Sequence, residues 1–229
     1  MPALAFKGEG KKWYPNPVHV LEGHLSQLFK TVPDLSPSRC RGITKNIAYT
    51  LQYLEFLTQI DTDLSLSDVL TKQNYKAFVI HGCGVVEAIF FYTLVSSGRA
   101  AQTEWTSQSK ISSPEFTLAG KTFKQDTEFF AKLPKPVPEP MTFDAMCKRV
   151  ESKKVIKVAN GFYSKLPYLR GLRNRIHIYS IENAADTDYI KFNRKDYELM
   201  KSILKSLLTS HLFPDCSDQL NLLFLNPTA

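Results

Sequence analysis

The sequence predicts a mainly α fold, a helical bundle that carries a small β-hairpin or meander insertion. Apolar residues recur at helical spacing over three long stretches, whereas residues 102–140 break that period with Thr, Ser, aromatic and Pro residues. No internal repeat is visible. With 229 residues, 43% of them hydrophobic, the chain can bury one substantial core, and a charged fraction of 22% argues against wholesale disorder. The expected organisation is an irregular N-terminal arm over 1–37 and a single helical domain over 38–229, with 102–140 as a β and linker insertion.

Residues 1–37 are rich in Pro, Gly and Lys and show no sustained period, apart from a short helix expected near 18–29. From 38 to about 60, Ile43, Ile47, Leu51, Leu54 and Leu57 follow helical spacing. Asp68 is the expected N-cap of a second long helix running to about Ser96, with Phe78, Val79, Val85, Val86, Ile89, Phe90 and Leu94 inward. Gly82 and Gly84 weaken its middle and allow a close helix crossing or a kink. In the insertion, a turn at Gly120–Lys121 suggests a hairpin, and Leu133–Pro140 reads as an extended linker. Thr142, Phe143 and Asp144 open a helix to about Lys154. A further helix is expected over 167–179, with Pro167 early, where its missing N–H costs little. After a polar loop at 182–188, residues 189–192 read as a short strand. The last helix, 194–212, turns Tyr197, Met200, Ile203, Leu204, Leu207 and Leu208 to one side.

Several function classes find no support. Cys40, Cys83, Cys147 and Cys216 are scattered, without zinc or redox spacing, and read as buried or incidental thiols of a reducing compartment. Gly120, Lys121 and Thr122 resemble the end of a phosphate-binding loop, but Glu115 holds the earlier glycine position. Gly82, Cys83 and Gly84 begin a dinucleotide fingerprint that Glu87 breaks. His19, His24, His81 and His211 have no partners at metal spacing, and no Ser or Cys carries a nucleophile signature. No metal or cofactor is expected. The first residues lack the apolar core of a secretory signal, and the apolar window at 85–95 is short and interrupted by Glu87. The expectation is a cytoplasmic protein with no membrane association.

The informative string is Leu169 to Ile178, LRGLRNRIHI. On a helix advancing about 100° per residue, Arg170, Arg173, Asn174 and His177 fall within roughly 100° of arc. Leu169, Leu172 and Ile176 are expected to point to nearly the opposite side. From Asp144 to His177 nine Lys and Arg face two acids, an excess of +7 that equals the formal net charge of the whole chain. Such a field draws phosphate-bearing partners, which paired arginines can hold. An Arg-rich face is ordinarily just solvated, and a lone His on it is ordinarily idle; the shared register and the localised charge are what set this one apart. Glu87, on the flank of the second long helix, is a possible ion-pair partner for one of these arginines.

That string resembles the signature of the HEPN superfamily, an Arg, often followed by a polar residue, and then a His with four to six residues between the Arg and the His. Arg170 and His177 are separated by six residues and fit; Arg173 and Asn174 supply the Arg–polar pair, but only three residues separate Arg173 from His177. The resemblance is strongest over 162–212 and weaker in the early helices, where Val85 to Phe90 looks like the first core segment of the family. It implies a metal-independent endoribonuclease working as a homodimer on RNA, in a toxin–antitoxin or defence role, with an antitoxin or other protein as a further partner. By the same resemblance His177 is the general acid or base, Arg170 and Arg173 hold the scissile phosphate, and Asn174 orients the phosphate or the imidazole. Imidazoles titrate near neutrality and suit proton transfer there. The short Arg173–His177 spacing keeps open a non-catalytic HEPN protein that acts as a binding partner. A general helical nucleic-acid-binding domain, with Tyr163, Tyr168 and Tyr179 as stacking groups, is the other alternative.

Overall fold

The long helices form where the apolar period is most regular, and their ends are set by side-chain caps. The computed structural model describes residues 5–6, 16–29, 35–159, 161–177, 186–213 and 222–226. Cys216, Tyr179, most of the loop expected at 182–188 and much of the N-terminal arm lie outside these residues. The chain divides into two compact units, one made of 1–99 with 141–229 and the other of 100–140.

The first unit contains α1 (Val18–Phe29), α2 (Pro37–Asp63), α3 (Asp68–Ser96), α4 (Phe143–Lys153), α5 (Phe162–Asn174), α6 (Asp188–Lys191) and α7 (Arg194–Leu208). Ser36 accepts a hydrogen bond from the Arg39 N–H and Pro37 opens α2, which together satisfy or remove otherwise orphaned donors. The cap of α3 is Ser67, which accepts from the Leu70 N–H; Asp68 sits one position later, where the helix dipole favours a carboxylate. Asn193 and Asp196 close a reciprocal capping box at the start of α7.

The core lies around α3. Phe78, Val79, Val86, Ile89, Phe90 and Leu94 are completely buried, as are Leu51 and Leu54 of α2 and Leu204, Leu207 and Leu208 of α7. Each such side chain contributes about 1.5–3 kcal/mol of burial free energy. Gly82 marks the crossing of α3 and α7: a Cβ there would come within 2.6 Å of Met200 Cγ. α3 is long and apolar enough to cross a membrane, but 67% of its apolar window is buried inside the protein, where it serves as the core helix. A short pairing of β1 (Ala5–Phe6) with β2 (Leu64–Ser65) and a 3-10 turn at Leu222–Leu225 complete the unit.

The second unit is a ribbon. β3 (Gln102–Ser112) pairs antiparallel with β6 (Asp126–Pro138), from Gln102 opposite Pro138 to Ser112 opposite Asp126, with two irregularities in register. At its tip β4 (Phe116–Leu118) pairs with β5 (Lys121–Phe123). Ala119 and Gly120, with φ of 49° and 75°, make the turn between them, the backbone that matches strand twist in a two-residue hairpin.

These findings correct the expected fold class. About 60% of the described residues are helical and 17% are strand, in three two-stranded antiparallel sheets, so the protein mixes α and β rather than being a mainly α, HEPN-like bundle. The extended stretch at 133–138 is not a linker but the second half of β6. Its prolines sit where they are tolerated: among the described residues β6 has a neighbour on one side only, and a strand edge without a partner accepts residues lacking an N–H. Residues 189–191 lie in the helical turn α6, not a strand, and α7 ends at Leu208 rather than at 212. The helix expected over 167–179 lies five residues earlier at both ends, which changes the site.

Candidate phosphate and nucleic-acid site

Phe162, Leu166, Leu169 and Leu172 bury one stripe of α5 and fix the orientation of everything it presents. Gly161 precedes the helix with φ of 82°, and Pro167 sits in its interior rather than in its first turn. Arg170 and Arg173 project from its last two turns. Arg173 lies one turn beyond Leu169, so it flanks the buried stripe instead of opposing it. That position lets its Nη2 reach Glu87 Oε2 of α3 at 3.2 Å, the ion pair that Glu87's place on the flank of α3 allows. Arg170 pairs with Asp144 in the first turn of α4, and Asp144 also takes Lys148 at 2.8 Å.

The helix stops before the histidine. Asn174 is its last residue, and Arg175 and Ile176 form a turn. Arg175 helps to end it: its Nη1 meets Asp186 Oδ1 at 2.8 Å and its Nη2 donates to the Asp186 carbonyl at 2.7 Å, which draws the chain off the helical path. Lys191 joins the same carboxylate at 3.2 Å. His177 therefore lies beyond the helix, exposed, and not in helical register with Arg170 and Arg173. Ile176, expected among the apolar residues of the stripe, is 52% exposed for the same reason. Asn174 is exposed at the helix end.

The charge is redistributed by folding. Glu87 and Asp186 lie outside the 144–177 window in sequence but enter it in space, and with Asp144 they answer all three arginines of the string. Each carboxylate occupies part of a guanidinium with five donors, so it aims the fork and leaves N–H groups for a ligand. Arg170 and Arg173 keep 35% and 40% of their side-chain surface exposed, while Arg175, at 18%, is chiefly structural. Lys153, Lys154, Lys157 and Lys165 are exposed and make no ion pair among the described residues, so the positive surface continues past the arginines.

The neighbouring groups have structural roles. Burial pushes the Cys83 and Cys147 thiols up to about 12, so neither supplies a thiolate near neutral pH. Tyr163 is tied by its hydroxyl to the Ile156 carbonyl at 3.0 Å. Tyr168 donates to Asp196 at 2.7 Å, a bond that, with burial, raises its pKa to about 12, yet its ring is 52% exposed and open to stacking. Among the described residues, no three His, Cys, Asp or Glu side chains converge as metal ligands. Asp144 and Asp186 escaped the sequence argument because nothing local marks them; their distance in sequence from the arginines they orient hides the pairing. Compared with family models, with curated proteins and with solved structures, the chain matches none.

Proposed function

We propose that the chain is a metal-independent endoribonuclease of HEPN type, acting in the cytoplasm in a toxin–antitoxin or defence role. One observation carries the reading: the two half-buried arginines of the α5 end are each aimed by a carboxylate from another helix, with an exposed imidazole four residues past the second. Guanidinium groups held in place stabilise charge that builds on phosphate oxygens without reorganising during reaction. Arg170 and Arg173 hold the scissile phosphate and Asn174 orients it. The ribose 2′-oxygen attacks phosphorus, the bond to the 5′-oxygen breaks, and a 2′,3′-cyclic phosphate forms. His177 takes the 2′-OH proton or gives one to the leaving 5′-oxygen. Lys153, Lys154, Lys157 and Lys165 carry the flanking RNA through its phosphates.

One chain supplies one histidine of the string, so the active form is a symmetric homodimer. The ribbon is the surface for the second copy. Trp105, Ile111, Phe116, Leu118, Phe123, Phe129 and Phe130 are each 41–64% exposed on a unit with no core of its own, and a ribbon of two strands is marginal alone. Its five lysines balance five carboxylates, so two copies meet without net repulsion. The β3 edge contains no proline, whereas β6 has three, and leaves backbone groups for pairing.

A second reading is favoured by a specific observation. His177 lies outside the helix that holds Arg170 and Arg173, an arrangement that suits a non-catalytic partner which binds RNA or a protein and cuts nothing. Purified chain incubated with structured RNA, matching DNA and EDTA separates the two. The account expects RNA cut, DNA spared, and cleavage lost in His177→Ala. A His177→Ala variant that cuts as fast as the wild type contradicts it, and an intact RNA bound tightly by a folded dimer favours the second reading.

A further inference from the structure

Two glycines interrupt the middle of α3, and only one is explained by packing. A helical glycine costs about 1 kcal/mol relative to alanine. At Gly82 the cost is offset, because any side chain would strike Met200. At Gly84 a Cβ would meet nothing within 4 Å. Gly84 instead opens onto a groove of about 530 Å³ between α2 and α3, within the range of about 300–1,000 Å³ of small-molecule sites.

The groove has an apolar floor and a polar rim. Ile43, Ile47, Ile80 and Val85 form much of the floor; Asn46, Thr50 and His81 stand on the rim and supply donors and acceptors. One turn past Thr50 on the same side of α2, Tyr53 holds its ring edge-on to His81, with centroids 5.0 Å apart. Two charged side chains besides these line the groove, Arg39 and Glu87. Glu87 is answered by Arg173, while Arg39 makes no ion pair among the described residues, so the charge on offer is positive. An apolar slot with hydrogen-bonding edges and a cation at one end matches a flat heterocycle that bears an anionic group. Because Glu87 lines the groove and also holds Arg173, the slot adjoins the arginine site.

We propose that this groove binds a nucleotide, with the base on the Ile47, Ile80 and Gly84 floor and the phosphate on Arg39. Its assignment to a base of bound RNA, rather than to a free nucleotide, rests on the function proposed above. Base recognition of this kind uses apolar faces for the ring and polar groups for its edge.

The test titrates the full chain by calorimetry with the four ribonucleoside monophosphates, ribose 5-phosphate and octanoate. Variants Gly84→Leu, which fills the groove from an open position, and Arg39→Gln are titrated beside it, with thermal unfolding of each. At least one nucleotide should bind, with ribose 5-phosphate weaker by about tenfold or more, and both variants should weaken nucleotide binding about tenfold, with Arg39→Gln melting like the wild type and Gly84→Leu melting at or slightly above it. Absence of nucleotide binding, equal binding by Gly84→Leu, or binding of octanoate in place of nucleotides overturns the proposal. Displacement of the nucleotide by a short RNA assigns the groove to RNA, and failure to displace it assigns a free nucleotide. RNA cleavage that depends on His177 in a chain binding no nucleotide sinks this proposal alone; nucleotide binding by a chain that cuts no RNA leaves it standing and sinks the nuclease.

Discussion

At the scale of single residues, the contrast between Gly82 and Gly84 is a direct check on the packing. Gly82→Ala forces a methyl group against Met200 and should cost about 1–3 kcal/mol by overpacking, whereas Gly84→Ala should stabilise α3 by about 0.5–1 kcal/mol. Chemical denaturation of the two variants measures both; equal effects would show that the α3–α7 crossing is misplaced. Lys201 gives a second check. It is 1% exposed, and desolvation holds its pKa below the ordinary lysine value. The unfolded chain therefore binds this proton more tightly than the folded chain. Stability is lowest below the folded-state pKa and rises as the pH climbs from there toward the ordinary lysine range. Tyr197, whose pKa burial raises, pulls the other way above about pH 10, so the window of interest ends there. Urea unfolding at a series of alkaline pH values should show the rise in the wild type and a flatter profile in Lys201→Met; parallel profiles would exclude a buried ammonium. The string from Arg170 to His177 names the candidate residues, but not that the helix ends before His177, and Glu87 was legible as a possible partner of its arginines. Asp144 and Asp186 were not, since an ion pair between distant segments leaves no local pattern.

At the scale of elements, the helices with a strong period were read well. α2 and α3 begin and end within a few residues of the expectation, because capping serines and the helical apolar period both act locally, and α1 coincides with the short helix expected at 18–29 although the arm around it has no sustained period. The failures have identifiable causes. α5 was displaced because Pro167 looked like an opening residue and Phe162 was not given the weight of its buried contact with the core. Its end was missed because Arg175 is drawn to Asp186, a tertiary bond. The ribbon was recognised as β, but its length was not, since alternating prolines at 134, 136 and 138 read as a linker when the edge they occupy is not known to be unpaired. The ribbon also carries its own prediction. Trp105 and Phe130 share one face, opposite Lys132 and Ser107 across the ladder. Replacing both with Ser should convert the proposed dimer to monomer in sedimentation velocity while the helical signal in circular dichroism stays unchanged. A dimer that survives the double substitution places the second copy elsewhere.

At the scale of the whole molecule, the localised excess of +7 is a property of the sequence that the fold partly cancels. Carboxylates from α3, from α4 and from the segment before α6 converge on the three arginines and turn a diffuse basic patch into a few aimed groups beside exposed lysines. A mixed α and β architecture replaces the expected bundle, yet the arginines and the histidine remain close in sequence at one helix end, which is what the proposed chemistry asks of the fold. That chemistry needs the ribose 2′-OH as its nucleophile. The most direct measurement is cleavage, in EDTA, of an RNA whose cut position is known and then carries a single 2′-deoxy substitution on the 5′ side of the scissile phosphate. The account predicts that cleavage at that position stops while the unmodified RNA is cut to a 2′,3′-cyclic phosphate end. Continued cutting at the deoxy position would contradict it.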